Sequence, residues 1–478
     1  MFWNLKNRAY QLLAGNELRR WLFDFLVHLR EGAPGALFGF GLLVFGFAVG
    51  LAAAHYKWPI YRNIREAKVS AELVRSELFP PKPFWAGVKA SDIWRARIRV
   101  MRPNHYSEGF QFTGGFSDVC PHTGCLFVVV SRDGKVLQSM PFRSAELFPK
   151  DIVKYSYERL FFDPNRDISP WSAWPVGEDW VASIAFGNSF PYGGGLARIS
   201  NQGHVIWYRG DYAHHWASPL SNGDFVTPRS DIIGKPIHVV IAPDFSYDVK
   251  CDRSNKALTD IIEVVGQDGK VKESISVTDA ILRSPYRARL ITTFDPCDPT
   301  HVNFVREIGS DLAMRLGGGL KSDDFLVSMR TISAFGILSR RSKTFVRMYR
   351  GTFAYQHSVQ PLDGTRVVMF DNLGGDHRDA SSRLLTYDLA TGDERVIFPN
   401  ASTPDAFRSH SIYAGFIDLS PDKKRALIAY TEAGKAYEVD LSDGSVITVF
   451  EGLDLESKTG RVVRVPLTTL RYAVTIKR

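Results

Sequence analysis

RLLTYDLATGDERVIF, residues 383–398, is the stretch whose reading decides the fold. Apolar and polar residues alternate on both sides of Thr391 and Gly392, the period of a strand with one face in a core, and the Thr-Gly pair supplies the turn. The same hairpin returns four times: LFVVVSRDGKVLQSM at 126–140, LARISNQGHVIWYRG at 196–210, DIIEVVGQDGKVKESISV at 260–277 and AYEVDLSDGSVITVF at 436–450. Each of these turns at an Asp-Gly or Gln-Gly pair. Shorter partners lie between them: SPLSNGDFVTP at 218–228, DDFLVSM at 323–329, QPLDGTRVVMF at 360–370 and FIDLSPDKKRALIAY at 416–430. The repeating unit therefore reads as four antiparallel strands, and such units set around an axis make a β-propeller. The expectation is an all-β, six-bladed β-propeller over 91–478, with blades of roughly 65 residues against a usual ~40 to 50 and the surplus in loops. A pair of β-sandwiches accounts less well for the repetition.

Composition agrees with strands and turns: 32 Phe, 18 Tyr and 10 Trp accompany 39 Gly and 25 Pro in 478 residues. The net charge of +8 is spread along the chain with no sustained basic run, which argues against nucleic acid as a partner and suits small anionic substrates. Four cysteines are present, Cys120, Cys125, Cys251 and Cys297. The first two, in CPHTGC, have the spacing of a small disulfide loop and lack the two-residue spacing of zinc ribbons and redox pairs. An even count with such a pair fits an oxidising compartment, with reduced thiols in a cytosolic protein as the alternative.

Ahead of the repeats, residues 1–32 include NELRRWLFDFLVHLRE, whose Leu18, Trp21, Leu22, Phe25, Leu26 and Leu29 recur at helical spacing against Arg19, Arg20, Asp24 and Arg30. That is an amphipathic helix of the kind that lies on a membrane surface. Residues 33–55 hold an uncharged run from Ala33 to Ala54, long enough for one transmembrane helix, and are expected to be an uncleaved anchor. Gly35 with Gly39 and Gly46 with Gly50 offer small faces to a helix partner in the membrane. Residues 56–90 have helical composition up to Pro80, Pro81 and Pro83 and should form a short helical stalk.

No GxxxxGK[ST], HExxH, GxSxG or EF-hand pattern occurs, so the chemistry must come from histidines at the borders between apolar runs and polar loops. His215 in YAHHWASPLSNG and His357 in YQHSVQPLDG occupy nearly the same local frame. His301, with Asn303 two residues on, and Arg330 in the SMRT turn lie at two more such borders. Any one histidine there is more often a packing residue; recurrence in equivalent strands points to one converging site. His214 would face the other way on an extended strand, and His410 is the further histidine worth watching. Three histidines can hold zinc. Here an arginine accompanies them with no carboxylate in an obvious ligand frame, so neither metal nor cofactor is expected. A guanidinium with imidazoles and an amide suits a tetrahedral anion.

HVN at 301–303, FLVSMR at 325–330, QH at 356–357 with PLDG, FDN at 370–372 and SRLLTYDL at 382–389 together resemble the bacterial arylsulfate sulfotransferases, most clearly over 212–398. The resemblance implies a six-bladed propeller that moves a sulfuryl group from an aryl sulfate donor to a phenolic acceptor without a nucleotide or other cofactor. On that pattern His357 would be the nucleophile of a ping-pong reaction through a sulfohistidine. His215, His301, Arg330 and Asn303 would hold the sulfuryl oxygens or serve the phenolic oxygen. The implied location is the periplasmic side of a bacterial inner membrane, here with a single-pass anchor where well-known members have a cleaved signal. The alternative is a non-catalytic propeller that binds an anion or assembles with other membrane proteins. A quinone-dependent dehydrogenase would want a carboxylate-rich calcium site that the inner-strand positions do not offer.

Overall fold

The computed structural model describes residues 45–46, 95–102, 106, 108–113, 125–147, 168–186, 194–251, 257–374, 381–456, 462–464 and 469–473. Apart from 45–46, which are helical, the expected amphipathic segment, anchor and stalk at 1–90 lie outside the described residues. Among the described residues no helix is long and apolar enough to cross a membrane.

The sheets belong to the unit Ala71–Arg478 and form a six-bladed propeller. In chain order, β1 (Arg95–Val100) departs for the last blade, and β2 (Phe110–Thr113), β3 (Cys125–Val130) and β4 (Val136–Pro141) supply three strands of the first. The second blade is β5 (Ile168–Val176), β6 (Asp179–Phe186), β7 (Gly194–Ile199) and β8 (Val205–Arg209). The third comprises β9 (Ser218–Pro219) and β10 (Phe225–Ile233), then, after an inserted hairpin of β11 (Ile237–Ala242) and β12 (Phe245–Val249), β13 (Ala257–Val265) and β14 (Val271–Ser276). The fourth is β15 (Val302–Glu307), β16 (Phe325–Met329), β17 (Ala334–Ser339) and β18 (Thr344–Tyr349), and the fifth is β19 (His357–Asp363), β20 (Arg366–Asp371), β21 (Arg383–Asp388) and β22 (Glu394–Phe398). The sixth runs through β23 (Phe416–Leu419), β24 (Arg425–Tyr430), β25 (Lys435–Asp440) and β26 (Val446–Glu456), with β27 (Val462–Arg464) on β26. β28 (Thr469–Tyr472) then pairs with β2, Tyr472 opposite Phe110, while β1 pairs with β26. Both ends of the domain thus close the ring.

The five hairpins seen in the sequence are the outer pair of five blades. Their turn glycines Gly134, Gly203, Gly269, Gly392 and Gly444 all take positive φ. In the fourth blade the equivalent turn between β17 and β18 has Lys343 at φ 53° in that role, so the sixth copy carries no glycine signal.

Second strands are apolar on both faces because each blade is covered on two sides. Along β20, Val367 and Met369 pack with Leu326 and Phe335 of the fourth blade. Val368 and Phe370 pack with Ile417 and Ala426 of the sixth. Period-two alternation therefore sends alternate residues into two different cores. At about 1.5–3 kcal/mol for each large apolar side chain buried, these interfaces hold the ring. The first strands touch in series, β9 to β15, β15 to β19, β19 to β23 and β23 to β28, so residues at their heads meet near the axis.

The fold also settles cysteine pairing in part. Cys251 is disulfide-bonded to Cys297, and Cys125 is disulfide-bonded as well. Cys120 lies outside the described residues.

Candidate functional site

Three first strands deliver the predicted imidazoles. His301 immediately precedes β15, His357 opens β19, and His215 sits three residues ahead of β9, where the run from Tyr212 is tied to β10 by His214 N–H donating to Pro228 O at 3.0 Å and Ser230 N–H to Tyr212 O at 3.1 Å. His215 and His301 adopt left-handed backbone, φ 55° and 45°, as do nearby Tyr355 and Ser358 at 60° and 53°. Non-glycine residues in that region cost of order 1 kcal/mol or more each, and such strain gathers where the surroundings hold a functional arrangement.

The rings converge. Centroids of His215 and His301 are 5.1 Å apart, and those of His215 and His357 6.2 Å. Arg330 follows β16, and its backbone N–H donates to His301 O at 3.1 Å. Its guanidinium lies 4.3 Å over the Tyr355 ring and 5.7 Å from that of Tyr413. His215, His301 and Arg330 line a cavity of about 340 Å³ together with Trp171, Trp216, Tyr413, Ala414 and Thr431. Trp216 packs on Phe416 at 5.0 Å and on His357 at 6.2 Å.

His357 lies one layer deeper than expected. It is fully buried and is not among the residues that line the cavity. Its Nδ1 faces two acceptors, Asn372 Oδ1 at 2.7 Å and Tyr355 O at 3.0 Å. Asn372 Nδ2 in turn donates to Ser411 O at 2.7 Å and Ala414 O at 3.0 Å, which fixes the amide so that its oxygen meets the imidazole. The proton of neutral His357 is thus assigned to Nδ1, leaving a lone pair on Nε2. That Nε2 is buried with no hydrogen-bond partner. Burial pushes the imidazole down to about 3, with the charges of Arg330 and His301 acting the same way and the Asn372 and Tyr355 hydrogen bonds opposing. At neutral pH the ring is uncharged.

Burial, then the fields of His214, His301, His357 and Arg330, also hold His215 well below its ordinary value. His301 differs from it in having a carboxylate: its Nδ1 is hydrogen-bonded to Asp298 Oδ2. Burial pushes Asp298 up, but the charge and hydrogen bond of His301 outweigh it and leave the carboxyl lowered. Asn303 is placed behind the site. Its Nδ2 donates to Gln356 O at 2.8 Å, bracing the residue before His357, and its Oδ1 is buried without a partner.

Sequence reasoning missed several of these groups. Asp298 lies one helical turn's spacing before His301 in DPTH, a signal that could have been used, whereas Trp171 and Tyr413 stand in no repeated frame. His410 is exposed, and the cavity takes Tyr413 three residues on.

No family model matches the chain, and no curated protein sequence matches it. Among solved structures it is similar to a protein of unknown function from Bacteroides caccae, at 12% identity over 77% of this chain and 98% of that one with a TM-score of 0.42. It is also similar to a catalytically inactive virginiamycin B lyase from Staphylococcus aureus, at 11% identity over 77% and 97% with a TM-score of 0.37. These likenesses carry no argument about activity.

Proposed function

We propose that the propeller is an aryl sulfotransferase that carries a sulfuryl group from a phenolic sulfate ester to a phenolic acceptor through His357. The observation that supports it most is the convergence of Arg330, His215 and His301 on an aromatic-walled cavity, two of whose lining rings, His215 and Trp216, each lie 6.2 Å from the His357 ring with its unpartnered Nε2. Arg330 offers a planar pair of donors to two sulfuryl oxygens and His301, backed by Asp298, a third. Trp171, Trp216 and Tyr413 give an aryl ring flat surfaces to stack on.

In the first half-reaction His357 Nε2 attacks sulfur, the S–N bond forms, the S–O bond to the aryl group breaks, and the departing oxygen takes a proton from an imidazole. In the second, an acceptor phenol gives up its proton, its oxygen attacks sulfur, and the S–N bond breaks. Asn303 and Asn372 brace the two sides of His357. The Cys251–Cys297 disulfide supports placement in an oxidising compartment, which we assign to the periplasmic side of a bacterial inner membrane with residues 33–55 as the anchor.

One observation favours a different class of function, a non-catalytic anion receptor: Nε2 of His357 is covered. Transfer from para-nitrophenyl sulfate to phenol, read as nitrophenolate release, decides between them. Acceptor-dependent release that drops by about 10³-fold or more in His357→Ala, with a sulfated peptide containing His357 trapped when acceptor is withheld, is the expected result. Anion binding without release in either protein would establish the receptor.

A further inference from the structure

His214, the neighbour that an extended strand would turn away from the site, is joined to it instead. Its Nδ1 lies 2.5 Å from Nδ1 of His215, and its Nε2 lies 3.2 Å from Asp260 Oδ1. Asp260 is buried at the third blade, where its other oxygen accepts from Thr300 Oγ1 at 2.5 Å and from Val302 N–H at 2.8 Å. Carboxylate, imidazole and imidazole form a line that ends at the cavity, with Nε2 of His215 on the ring edge away from the relay. Two nitrogens facing each other across the His214–His215 contact can share only one proton, so the protonation of one ring sets the tautomer of the other.

We propose that Asp260 and His214 are positioning residues that make His215 the proton-transfer group for the aryl oxygen. The inference rests on the sulfuryl-transfer reading above. Before the donor binds, His214 holds protons on both nitrogens, its charge matched by Asp260. Its Nδ1–H donates to Nδ1 of His215, which keeps the His215 proton on Nε2. As the S–O bond breaks, His215 Nε2–H passes to the departing oxygen and the Nδ1 proton shifts from His214 to His215. His214 is then neutral with its proton on Nε2, facing Asp260. The acceptor phenol reverses every step: its proton goes to Nε2 of His215, and the Nδ1 proton returns to His214. One proton leaves with the first phenol and one is recovered from the acceptor, so charge and atoms balance, and between the two halves the pair is one proton short, with His214 neutral beside Asp260. The other titratable and charged groups facing the pair are His301, whose centroid is 6.5 Å from that of His214, the neutral His357 and Arg330, with Asp298 behind His301. Burial and the Arg330 guanidinium oppose a charge on His215, whereas His214 has the Asp260 carboxylate beside it.

Asp260→Asn in the full-length chain keeps an acceptor for His214 and removes the charge. Transfer from phenyl sulfate, whose leaving group needs a proton, should then fall by about 10²-fold. Transfer from para-nitrophenyl sulfate, whose leaving group departs unaided, should be far less affected. Equal losses on both donors, the mark of a structural role, or no loss on either would overturn the relay. NMR of isotope-labelled histidine gives a readout independent of turnover: His214 protonated on both nitrogens in the wild type and neutral in the Asp260→Asn variant. A neutral His214 in the wild type overturns the proposal. Turnover of neither donor by a wild type whose His214 is charged would sink the sulfotransferase reading and, with it, the role of His215 toward an aryl oxygen, leaving only the charge arrangement of Asp260, His214 and His215.

Discussion

Glu438 and His357 are both wholly buried, yet their surroundings follow opposite rules. Glu438 on β25 accepts from Arg132 at 2.7 and 2.9 Å, Arg425 at 2.9 Å, Thr448 at 2.7 Å and Tyr472 at 3.2 Å. These partners come from the first and sixth blades, so one carboxylate ties the seam where the ring closes. His357 is an uncharged imidazole near the Arg330 guanidinium and the His301 ring, with a nitrogen that finds no partner. A buried charge met by opposite charges leaves no group over, whereas a buried lone pair without a partner is free to meet a ligand.

The largest effect should come from the seam. Glu438→Ala leaves Arg132 and Arg425 with Glu108 as their one remaining carboxylate among the described residues, and breaking a buried pair from one side costs about 3–5 kcal/mol. Chemical denaturation should show that loss, while transfer activity, measured well below the unfolding transition, stays near wild type. A large loss of activity in the folded variant would break the separation between the two regions.

At the site the signs reverse. Arg330→Ala removes a guanidinium whose Nε is buried without a partner, so stability should hold or rise. The kcat/KM for sulfuryl transfer should fall by about 10²–10³-fold, the usual cost of losing one donor to a developing anion. Arg330→Lys keeps the charge without the planar fork and should recover only part of it. Stability falling in step with activity would make Arg330 a structural residue like Arg425.

How far each region was legible in the sequence follows from the same physics. Hairpins at Gly134, Gly203, Gly269, Gly392 and Gly444 announced the blades because only a few residues take positive φ cheaply. Lys343 hid the sixth because a lysine there pays the strain without advertising it. His215, His301 and His357 were visible from their places at the heads of first strands. Asp260 was not: it lies in LTDIIEVV, a strand whose pairing alone brings it against His214 and Thr300. The Glu438 seam was equally silent, since Arg132 and Glu438 meet only when the ring closes.

Acid should separate the two regions along the pH axis. Unfolded His357 protonates near its ordinary value of 6.5, whereas in the fold it stays neutral down to about 3. Between those values the unfolded state binds more protons, so stability declines as pH falls, by up to about 1.4 kcal/mol per pH unit for each such group, and His215 adds to it. Glu438 behaves otherwise. Burial pushes its carboxyl up, but Arg132, Thr448 and Arg425 outweigh that and leave it below the ordinary 4.5. Its contribution is complete above 4.5 and is lost as pH falls through the lowered folded value. Denaturation series in urea should therefore show a first decline between 6.5 and 4.5 that flattens in His357→Gln, and a second below 4.5 that flattens in Glu438→Ala. An upper decline unchanged by His357→Gln would mean that the imidazole is charged in the fold. In that case the lone pair on which the nucleophile assignment depends would not be there.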